Sequence, residues 1–565
     1  MIKSLVSKVQ EKSIMKTLNQ LKNIMEISNE DLVYIKPNLA IEPLVDNWYA
    51  WPHLISPATA AMNIKDRHLK IMQSYVQNPM IHAAAVKNPK MLGGPFIDYN
   101  GKRVDEIKGL IDNTKEQCKA LLDLREDIFK LNETLRREAK GYSLTQLYDK
   151  VPESLQGLVE LVYDINNNPS FRFFEALLYE TEYYNESLQS FNLFLVDDDD
   201  SRSFVLSTPK LPGEGILRVN MPFRSKKIDL LFEMEDKPKA FGEIADMFDF
   251  QGDDRELFKT FFTKDAPPAY KKYEGDGILT RYFGHACILT ETKETTILAD
   301  PLISYGYDAD VSRYTYTDLP KTIDYVLITH NHQDHILFET LLRLRRKIKN
   351  IVVPKSNSGF LQDPNLKLMF ERMGFTNIIE LGEMETIRFE DCAITGLPFV
   401  GEHCDLDVRS KLCHHVEYND GLKILFAADS CNVSPRLYQR IRKVIGDIDV
   451  IFLGMECEGA PLTWLYGPLM PEPLSRDKDE SRRLAGCNYE QAKAMVDVFN
   501  PKDLFVYAMG MEPWLKYISS IKYTDESLPI VESNKLLKYC ESNGITPERL
   551  YGEKVVEYKR DLVMN

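Results

Sequence analysis

The chain has 565 residues, 44% hydrophobic and 27% charged, as expected of a folded protein with room for two cores. Its net charge of −15 argues against a nucleic-acid enzyme, which needs a basic track for phosphates. No apolar run reaches the length of a membrane span, so neither nucleic acid nor membrane is expected as a partner.

Both the N-terminus and the cysteine usage predict a cytoplasmic protein. Residues 1–8 predict an amphipathic helix interrupted by lysines, without the continuous apolar segment of a signal peptide. The nine cysteines, an odd number, are scattered without a Cys-x-x-Cys pair. That usage is typical of reduced thiols.

Residues 1–270 are predicted to form a separate, mostly helical α+β domain, because the stretch 265–277 is turn-rich and polar. Apolar residues at three- and four-residue spacing predict helix over 104–137. Further predicted elements are strands at 203–207, 215–219 and 228–232, then helices at 241–248 and 254–262.

One N-terminal stretch is unusually aromatic. The run Asn47-Trp-Tyr-Ala-Trp-Pro-His53 contains three large aromatic residues, and a glycine-rich turn follows at Met91-Leu-Gly-Gly-Pro-Phe96. Such residues fill a core more often than they bind a ligand, so both interpretations stay open.

Residues 271–565 are predicted to form an α/β domain that contains the chemistry. It opens with two strand segments over 278–290, broken at Gly284, and His285 after the break is interpreted as a structural residue or one behind a site. The next predicted strand ends at Asp300-Pro301, which by itself is also a common turn.

A dense cluster of metal-binding residue types follows the next strand. His330-Asn-His332-Gln-Asp334-His335 comes directly after the apolar, β-branched run 324–329, which predicts a buried strand. Imidazole and carboxylate are ligands that suit zinc, iron and manganese. Because the chain has only 10 histidines, three of them here indicate a metal site. His330 and His332 can reach one ion, and Asp334 and His335 a second.

The basic run Arg343-Leu-Arg-Arg-Lys-Ile-Lys349 comes just after this cluster. It is interpreted as the solvated face of the helix that follows the metal loop. On this interpretation it provides no nucleic-acid surface.

The pattern His-x-His-x-Asp-His after a hydrophobic strand resembles the metallo-β-lactamase superfamily, whose fold is a four-layer αβ/βα sandwich. The resemblance implies that Asp300 lies behind the ligands and fixes the loop geometry. It also implies that Asp429, at the end of the predicted strand 423–428, bridges two metals. Most of the superfamily has a histidine directly after the glycine of the third motif. Here Glu402 follows Gly401, and His403 comes next.

This departure narrows the resemblance. With Glu402 in this place, the chain resembles, over most of its length, the diiron oxygenases typified by the β-hydroxylase of chloramphenicol biosynthesis. Two N-terminal stretches also resemble that group: Pro37-Asn-Leu-Ala-Ile-Glu-Pro43 and Asn47-Trp-Tyr-Ala-Trp51. In that group a glutamate replaces the histidine and the metals are iron. The resemblance implies that Glu402 is a ligand and that His403 lies behind it. The opposite assignment stays open.

The last ligand of the second metal is not evident. The superfamily supplies a further histidine near the C-terminus, but this chain has none after His415. Glu512, after the predicted strand 503–510, is the nearest ionisable group, and a plain loop glutamate is the equal alternative. Glu456 and Glu458 are weaker candidates, and a weak or empty second site is also open.

The resemblance implies a dioxygen-dependent diiron monooxygenase in which Glu402 and Asp429 serve the chemistry. It would hydroxylate an unactivated C–H bond, the β-carbon of an amino acid tethered to a nonribosomal peptide carrier domain. An external electron donor is expected, since no flavin or ferredoxin motif is visible. The N-terminal domain would serve dimerisation, giving a homodimer, or carrier recognition.

Two other functions are compatible with the motifs. One is a zinc- or manganese-dependent hydrolase of a lactone, phosphoester or amide. The other is a non-catalytic scaffold with a degenerate metal site, for which the missing C-terminal histidine is the only support. The fold alone does not decide among them.

Overall fold

The computed structural model describes residues 32–356 and 359–559, so the helix predicted at 1–8 lies outside the described residues. Short strands and many helices build the N-terminal half. The strands are β1 Leu32–Ile35, β2 Leu39–Val45, β3 Trp48–Tyr49, β4 Val159–Tyr163, β5 Pro169–Phe173, β6 Gln189–Leu195, β7 Leu217–Asn220, β8 Lys239–Ala240 and β9 Phe262–Thr263. The α-helices are Pro52–Ile55, Pro57–Asn63, Leu69–Gln77, Pro79–Ala85, Val104–Gln117, Lys119–Glu138, Glu175–Leu178, Lys226–Phe232, Phe241–Phe248 and Gly252–Lys259.

The helix predictions for this half are confirmed, including Phe241–Phe248 at its predicted bounds. Two strand predictions are wrong. Residues 203–207 form a loop that ends in a turn at 205–207, and residues 228–232 lie in the helix Lys226–Phe232. Ser225 begins this helix, because its side chain accepts a hydrogen bond from the Lys227 amide, and such a cap favours a helix over a strand.

Two seven-stranded sheets form the C-terminal half. Their strands are β10 Ile278–Tyr282, β11 Ile288–Glu291, β12 Thr296–Ala299, β13 Ile323–Leu327, β14 Ile348–Pro354, β15 Ile378–Leu381, β16 Thr386–Arg388, β17 Cys392–Pro398, β18 Leu412–Tyr418, β19 Lys423–Phe426, β20 Val450–Gly454, β21 Asp503–Tyr507, β22 Thr546–Arg549 and β23 Lys554–Tyr558. The first sheet has the order β15-β14-β13-β12-β11-β10-β23, and the second β16-β17-β18-β19-β20-β21-β22.

Apolar side chains from both sheets share one core, which includes Ile297 and Val352 from the first sheet and Ile424 and Val450 from the second. Helices cover both outer faces. They are Phe338–Leu344, Leu366–Arg372, Pro435–Ile445, Leu462–Tyr466, Arg476–Ser481, Tyr489–Phe499, Lys516–Ser519 and Leu528–Ser542. The four-layer αβ/βα sandwich is therefore confirmed. Within the described part of the chain, no helix combines the length and hydrophobicity needed to cross a bilayer.

The outer face of the first sheet shares a core with the N-terminal half. Residues 264–277, between β9 and β10, form neither helix nor strand, and the division at residue 270 stays a prediction. Arg202, after β6, donates hydrogen bonds to Glu42 of β2 and to Glu339 of the helix Phe338–Leu344. A buried ion network therefore ties the two halves together.

The basic run after the metal loop is mostly buried, and of its cations only Lys349 is exposed, so the interpretation as a solvated face is wrong. Arg343 is 1% exposed and Arg345 is 6% exposed. The Nε of Arg343 donates to Glu235 at 2.6 Å, and the Nε of Arg345 donates to Asp229 at 2.8 Å. These cations are neutralised by carboxylates more than 100 residues earlier in the chain, which sequence periodicity cannot reveal.

One edge of the sandwich collects every chemically important loop. In the first sheet β10, β12 and β13 run parallel, and in the second β17, β19, β20 and β21 do. The carboxyl ends of parallel strands meet at the same edge of a sheet. Residues that follow these ends are therefore brought together.

Candidate metal centre

Two histidines of the loop after β13 face the glutamate of the loop after β17. The Nδ1 of His332 lies 2.7 Å from Oε1 of Glu402, and the Nε2 of His330 lies 3.8 Å from Oε2. Among the described residues these three supply donor atoms that all lie within 4.8 Å of one another. His330 and His332 are 0% and 5% exposed, and Glu402 is 8% exposed. These two imidazoles and one carboxylate form a buried group of donors that could hold one metal ion.

A second set centres on Asp429, which follows β19. Its Oδ2 lies 3.0 Å from Nε2 of His335 and 3.9 Å from Nε2 of His330. Asp429 therefore lies between the two histidines, where a bridging carboxylate would be.

Asp300, at the end of β12, holds this arrangement from behind. Its carboxylate accepts hydrogen bonds from the amide and hydroxyl of Thr329, at 2.8 and 2.6 Å. Its Oδ2 also lies 2.8 Å from Nδ1 of His335. Binding Nδ1 in this way turns the Nε2 lone pair toward the centre and fixes the ring.

A third set contains a histidine that the motif does not include. The Nε2 of His285, in the turn after β10, lies 3.2 Å from Oδ2 of Asp334. His285, Asp334 and His335 together have donor atoms within 4.8 Å of one another. His285 follows the carboxyl end of β10, which lies at the same edge of the sheet as the carboxyl end of β13. Its place near the metal-type donors could be predicted only once the strand order was known.

Glu512 takes a different position. It is 3% exposed, and Tyr282, the last residue of β10, donates its hydroxyl to Oε1 of Glu512. Among the described residues, the groups of converging metal-type donors do not include it. The group of donors around Asp334 and His335 includes His285 instead.

His403 lies beside Glu402 and His332. Its Nδ1 is 3.0 Å from Oε2 of Glu402, and its ring stacks on that of His332 with centroids 4.4 Å apart. Burial lowers the pKa of His403 to about 4. A neutral imidazole in this position supports the carboxylate without adding charge.

The carboxylates of the centre repel one another. Burial raises the pKa of Asp429, and Glu402 and Asp334 add to that effect against His335. The pKa of Glu456, in the loop after β20, is raised well above its usual value by burial and then by Asp429, Asp334 and Glu402. Four carboxylates, those of Glu402, Asp334, Asp429 and Glu456, therefore lie close together. Positive charge between them would stabilise their ionised forms.

The pKa values of His330 and His335 are shifted in opposite directions. Burial holds the pKa of His330 well below its usual value, and its neighbour His335 lowers it further. For His335, burial acts in the same direction, but the carboxylates of Asp429 and Asp300 outweigh it and raise the pKa. His330 is thereby kept neutral, the form in which imidazole binds metals.

Several side chains leave polar atoms without hydrogen-bond partners inside this volume. Nε2 of His330, Oε2 of Glu402 and Oδ1 of Asp429 are buried and make no hydrogen bond. Buried polar groups are normally satisfied, so such a concentration needs a physical explanation. Cations between these atoms would satisfy them, and the donor set, rich in carboxylate, suits iron.

Backbone strain is concentrated at the same edge. His285, Asp300 and Glu402 have φ of 51°, 37° and 62°, and Ala428, before Asp429, has φ of 45°. Residues other than glycine rarely adopt such values, and they persist where the fold enforces them, commonly at functional sites. Gly454 shows the crowding, because a Cβ there would lie 2.3 Å from Oδ1 of Asp429.

A second layer closes over the donors. The hydroxyl of Tyr466 lies 3.2 Å from Nε2 of His332. The ring of His53, from the aromatic N-terminal stretch, packs edge-on against Tyr466 with centroids 6.1 Å apart. Trp48 and Trp51 are each 1% exposed, so the aromatic stretch is a core that also reaches the centre. The N-terminal half thus helps to exclude water.

Comparison with known proteins agrees with this geometry. The family model described as "diiron non-heme β-hydroxylase N-terminal domain" matches residues 34–267, and the β-lactamase superfamily domain matches residues 295–459. The chain is 38% identical over 526 residues to the 4-amino-L-phenylalanyl-[CmlP-peptidyl-carrier-protein] 3-hydroxylase of Streptomyces venezuelae, covering 92% of this chain and 98% of that protein. The chain belongs to the diiron non-heme β-hydroxylase family.

A solved structure of a diiron β-hydroxylase has the same fold as this chain. The crystal structure of CmlA, a diiron β-hydroxylase from Streptomyces venezuelae, superposes with a TM-score of 0.87 at 37% identity, covering 93% of this chain and 99% of CmlA. A UPF0173 protein of Pyrococcus abyssi is 31% identical over only 22% of this chain.

The resemblance found in the sequence is confirmed, as is a hydroxylase with two iron ions as its cofactor. The hydrolase and scaffold alternatives are not supported, since the likeness spans both halves. The roles of individual site residues stay predictions.

Asp300 provides a first test of the geometry. Replacing it by asparagine is expected to lower iron affinity and hydroxylation by roughly 10- to 100-fold, because His335 loses the carboxylate that orients it. Iron affinity can be measured by competition with a chelator. The control is Asp308→Asn, at an exposed position. Equal iron affinity in the two variants would contradict the orienting role.

Proposed function

We propose that this β-hydroxylase uses dioxygen to hydroxylate the β-carbon of an amino acid held as a thioester on a nonribosomal peptide carrier domain. The observation that carries the proposal is that Glu402, from the third motif, converges with His330 and His332. The carboxylates of Asp429, Asp334 and Glu456 interact with it at the same place. The 38% identical relative, which acts on a carrier-bound amino acid by name, spans nearly all of both chains.

We propose that His330, His332 and Glu402 hold one iron, and that Asp334, His335 and His285 hold the other. Asp429 lies between the two sets and would bridge. This assignment follows the converging donor atoms and leaves Glu512 as the acceptor for Tyr282.

When bound, the iron pair supplies the capacity to reduce dioxygen and to exchange a C–H hydrogen for hydroxyl. The protein contributes the surroundings. Asp300 holds the His335 ring, and Tyr466 holds Nε2 of His332 so that Nδ1 faces Glu402. Burial of the donors under Tyr466 and His53 excludes water, which limits side reactions.

The reaction places one oxygen atom in the product and the other in water, so electrons must come from an external donor. A carrier protein delivers the substrate. A homodimer is proposed on the strength of the family resemblance, and a cytoplasmic location on the strength of the cysteine usage. All nine cysteines are free thiols, as is usual in a reducing compartment.

Turnover with a panel of carrier domains, each loaded with one amino acid, tests the proposal. With isotopically heavy dioxygen and a reductant, one heavy oxygen atom is expected in the carrier-bound product, with loss of one β-deuterium from a labelled substrate. The free amino acids are expected to remain unchanged. Hydroxylation of free amino acids alone, or heavy oxygen at another carbon, would overturn the assignment.

His285 provides a separate prediction on the second metal. Replacing it by asparagine is expected to lower iron content toward one ion per chain, because Asp334 and His335 would then lack their third donor. Metal analysis after dialysis measures this. The matched control is His415→Asn, since His415 is also buried with unpartnered ring nitrogens but lies outside the donor groups. Full iron content in the His285 variant and loss in Glu456→Gln would assign the position to Glu456.

A further inference from the structure

A cavity of about 540 Å³ lies between the two halves of the chain. The lining includes the N-terminal turn 93–96 and residues of the helix Leu462–Tyr466 and its flanks, which touch where Nε1 of Trp464 donates to the carbonyl oxygen of Gly93 at 2.7 Å. The apolar lining includes Phe96, Phe204, Leu206, Pro461, Trp464 and Pro468. The rim is solvent-exposed at Lys70 and Ser74, so the cavity has an open mouth and an apolar body.

Arg67 supplies a buried cation to this cavity. It lines the space and is 9% exposed. Its Nη2 donates to the carbonyl oxygens of Trp464 and Leu465, each at 2.8 Å, and its Nε has no hydrogen-bond partner. Burial lowers the pKa of Arg67 only to about 10, so it remains charged at neutral pH.

No carboxylate neutralises this charge among the described residues. The adjacent Asp66 pairs instead with Lys70 at 2.8 Å and with Arg125 at 2.7 Å. Arg67 itself contacts two carbonyl oxygens and the ring of Trp51, whose centroid is 5.7 Å away. Burying a guanidinium that no carboxylate neutralises is costly, and a clamp on two carbonyl groups would not need a full charge. Arg67 also lies in a π-helical turn, Ile64–His68, a feature frequently found at functional sites.

The cavity and the metal centre lie against the same helix. Thr463 and Trp464 line the cavity, whereas the hydroxyl of Tyr466, two residues on, lies 3.2 Å from Nε2 of His332. The cavity and the side chain that covers His332 are therefore only two residues apart along one short helix.

We propose that this cavity binds the phosphopantetheine arm of the carrier protein, with the arm's phosphate paired to Arg67 and supported by Lys70 at the rim. The arm is a flexible, largely uncharged chain with one phosphate near its protein end, which matches an apolar body with one unpaired cation. A guanidinium is well suited to phosphate, because it offers several donors in a fixed plane. The inference rests on the proposed function, since a carrier holds its amino acid on such an arm.

Calorimetric titration of the iron-loaded protein with three probes tests the inference: phosphopantetheine, pantetheine without the phosphate, and inorganic phosphate. The wild type is expected to bind phosphopantetheine at least ~10-fold more tightly than pantetheine, the smaller end of what a charged hydrogen bond contributes. Arg67→Gln is expected to reduce this preference to below about threefold, and Arg67→Lys to leave an intermediate value. The ratio reports on the phosphate alone, so a general loosening of the cavity does not change it.

Arg125→Gln is the control, because Arg125 is a nearby cation that does not line the cavity, and the phosphate preference of this variant is expected to stay as in the wild type. If Arg67→Gln does not fold, Lys70→Gln carries the test, with an expected fall of about threefold. Equal binding of the two pantetheines, binding of neither, an unchanged preference in the Arg67 and Lys70 variants, or equally tight binding of inorganic phosphate would overturn the inference. The titration needs no turnover, so the two proposals can fail separately. If the protein hydroxylates carrier-bound amino acids but shows no preference for phosphopantetheine over pantetheine, the proposed function stands and this inference is refuted.

Discussion

Replacing Glu402 by glutamine is expected to abolish hydroxylation and to weaken iron binding by more than about 100-fold, because even groups behind the ligands contribute roughly 10- to 100-fold. The amide would leave His332 facing a neutral group where its Nδ1 now lies 2.7 Å from a carboxylate oxygen. Iron content and single-turnover product formation measure the effect.

Two further variants make this prediction specific. Glu458→Gln is the control, since Glu458 is an exposed loop glutamate, and it should behave as the wild type. Glu402→His restores the donor that most of the superfamily carries, and it is expected to bind metal again but to favour zinc without hydroxylation. Normal iron content and turnover in Glu402→Gln would remove Glu402 from the centre.

Replacing Arg202 by methionine is expected to lower the free energy of unfolding by about 3–5 kcal/mol, the usual effect of removing one partner from a buried ion pair. Arg202 donates to both carboxylate oxygens of Glu339, at 2.9 and 2.8 Å, and to Glu42 at 2.9 Å. Its side chain is 8% exposed. Without it, the remaining hydrogen bonds to the buried carboxylate of Glu339 from described residues come from the hydroxyls of Tyr49 and Tyr305.

Urea unfolding measures this loss, and Arg136→Met is the matched control. Arg136 also pairs across the two halves, with Glu472 at 2.6 Å, but both side chains are largely exposed. Solvent screens such a pair, so little change is expected. Equal stability of the two variants would contradict a structural role for the buried network.

The metal centre was largely predictable because its main donors lie within one short segment. His330, His332, Asp334 and His335 follow a single strand, so their convergence needs no knowledge of the fold. Asp429 and Asp300 could be predicted only through the family resemblance. Their positions depend on which strands are parallel neighbours.

His285 marks the limit of sequence reasoning. It lies 45 residues before His330, the first residue of the motif. It comes near the other donors only because β10 runs parallel to β13. The burial of the basic run at Arg343 has a similar cause, since its partner Glu235 belongs to the other half of the chain. For residues 228–232 the cause is local, because a five-residue, mostly apolar run fits a strand as well as a helix, and the Ser225 cap favours the helix.

The measurement that tests the central claim most directly is metal analysis of the protein purified from iron-supplemented cells, combined with Mössbauer spectroscopy. The two donor sets around Asp429 predict about two irons per chain, present as one magnetically coupled pair. Zinc or manganese in place of iron, or a single iron per chain that does not couple to another, would contradict a dinuclear iron centre built from these residues.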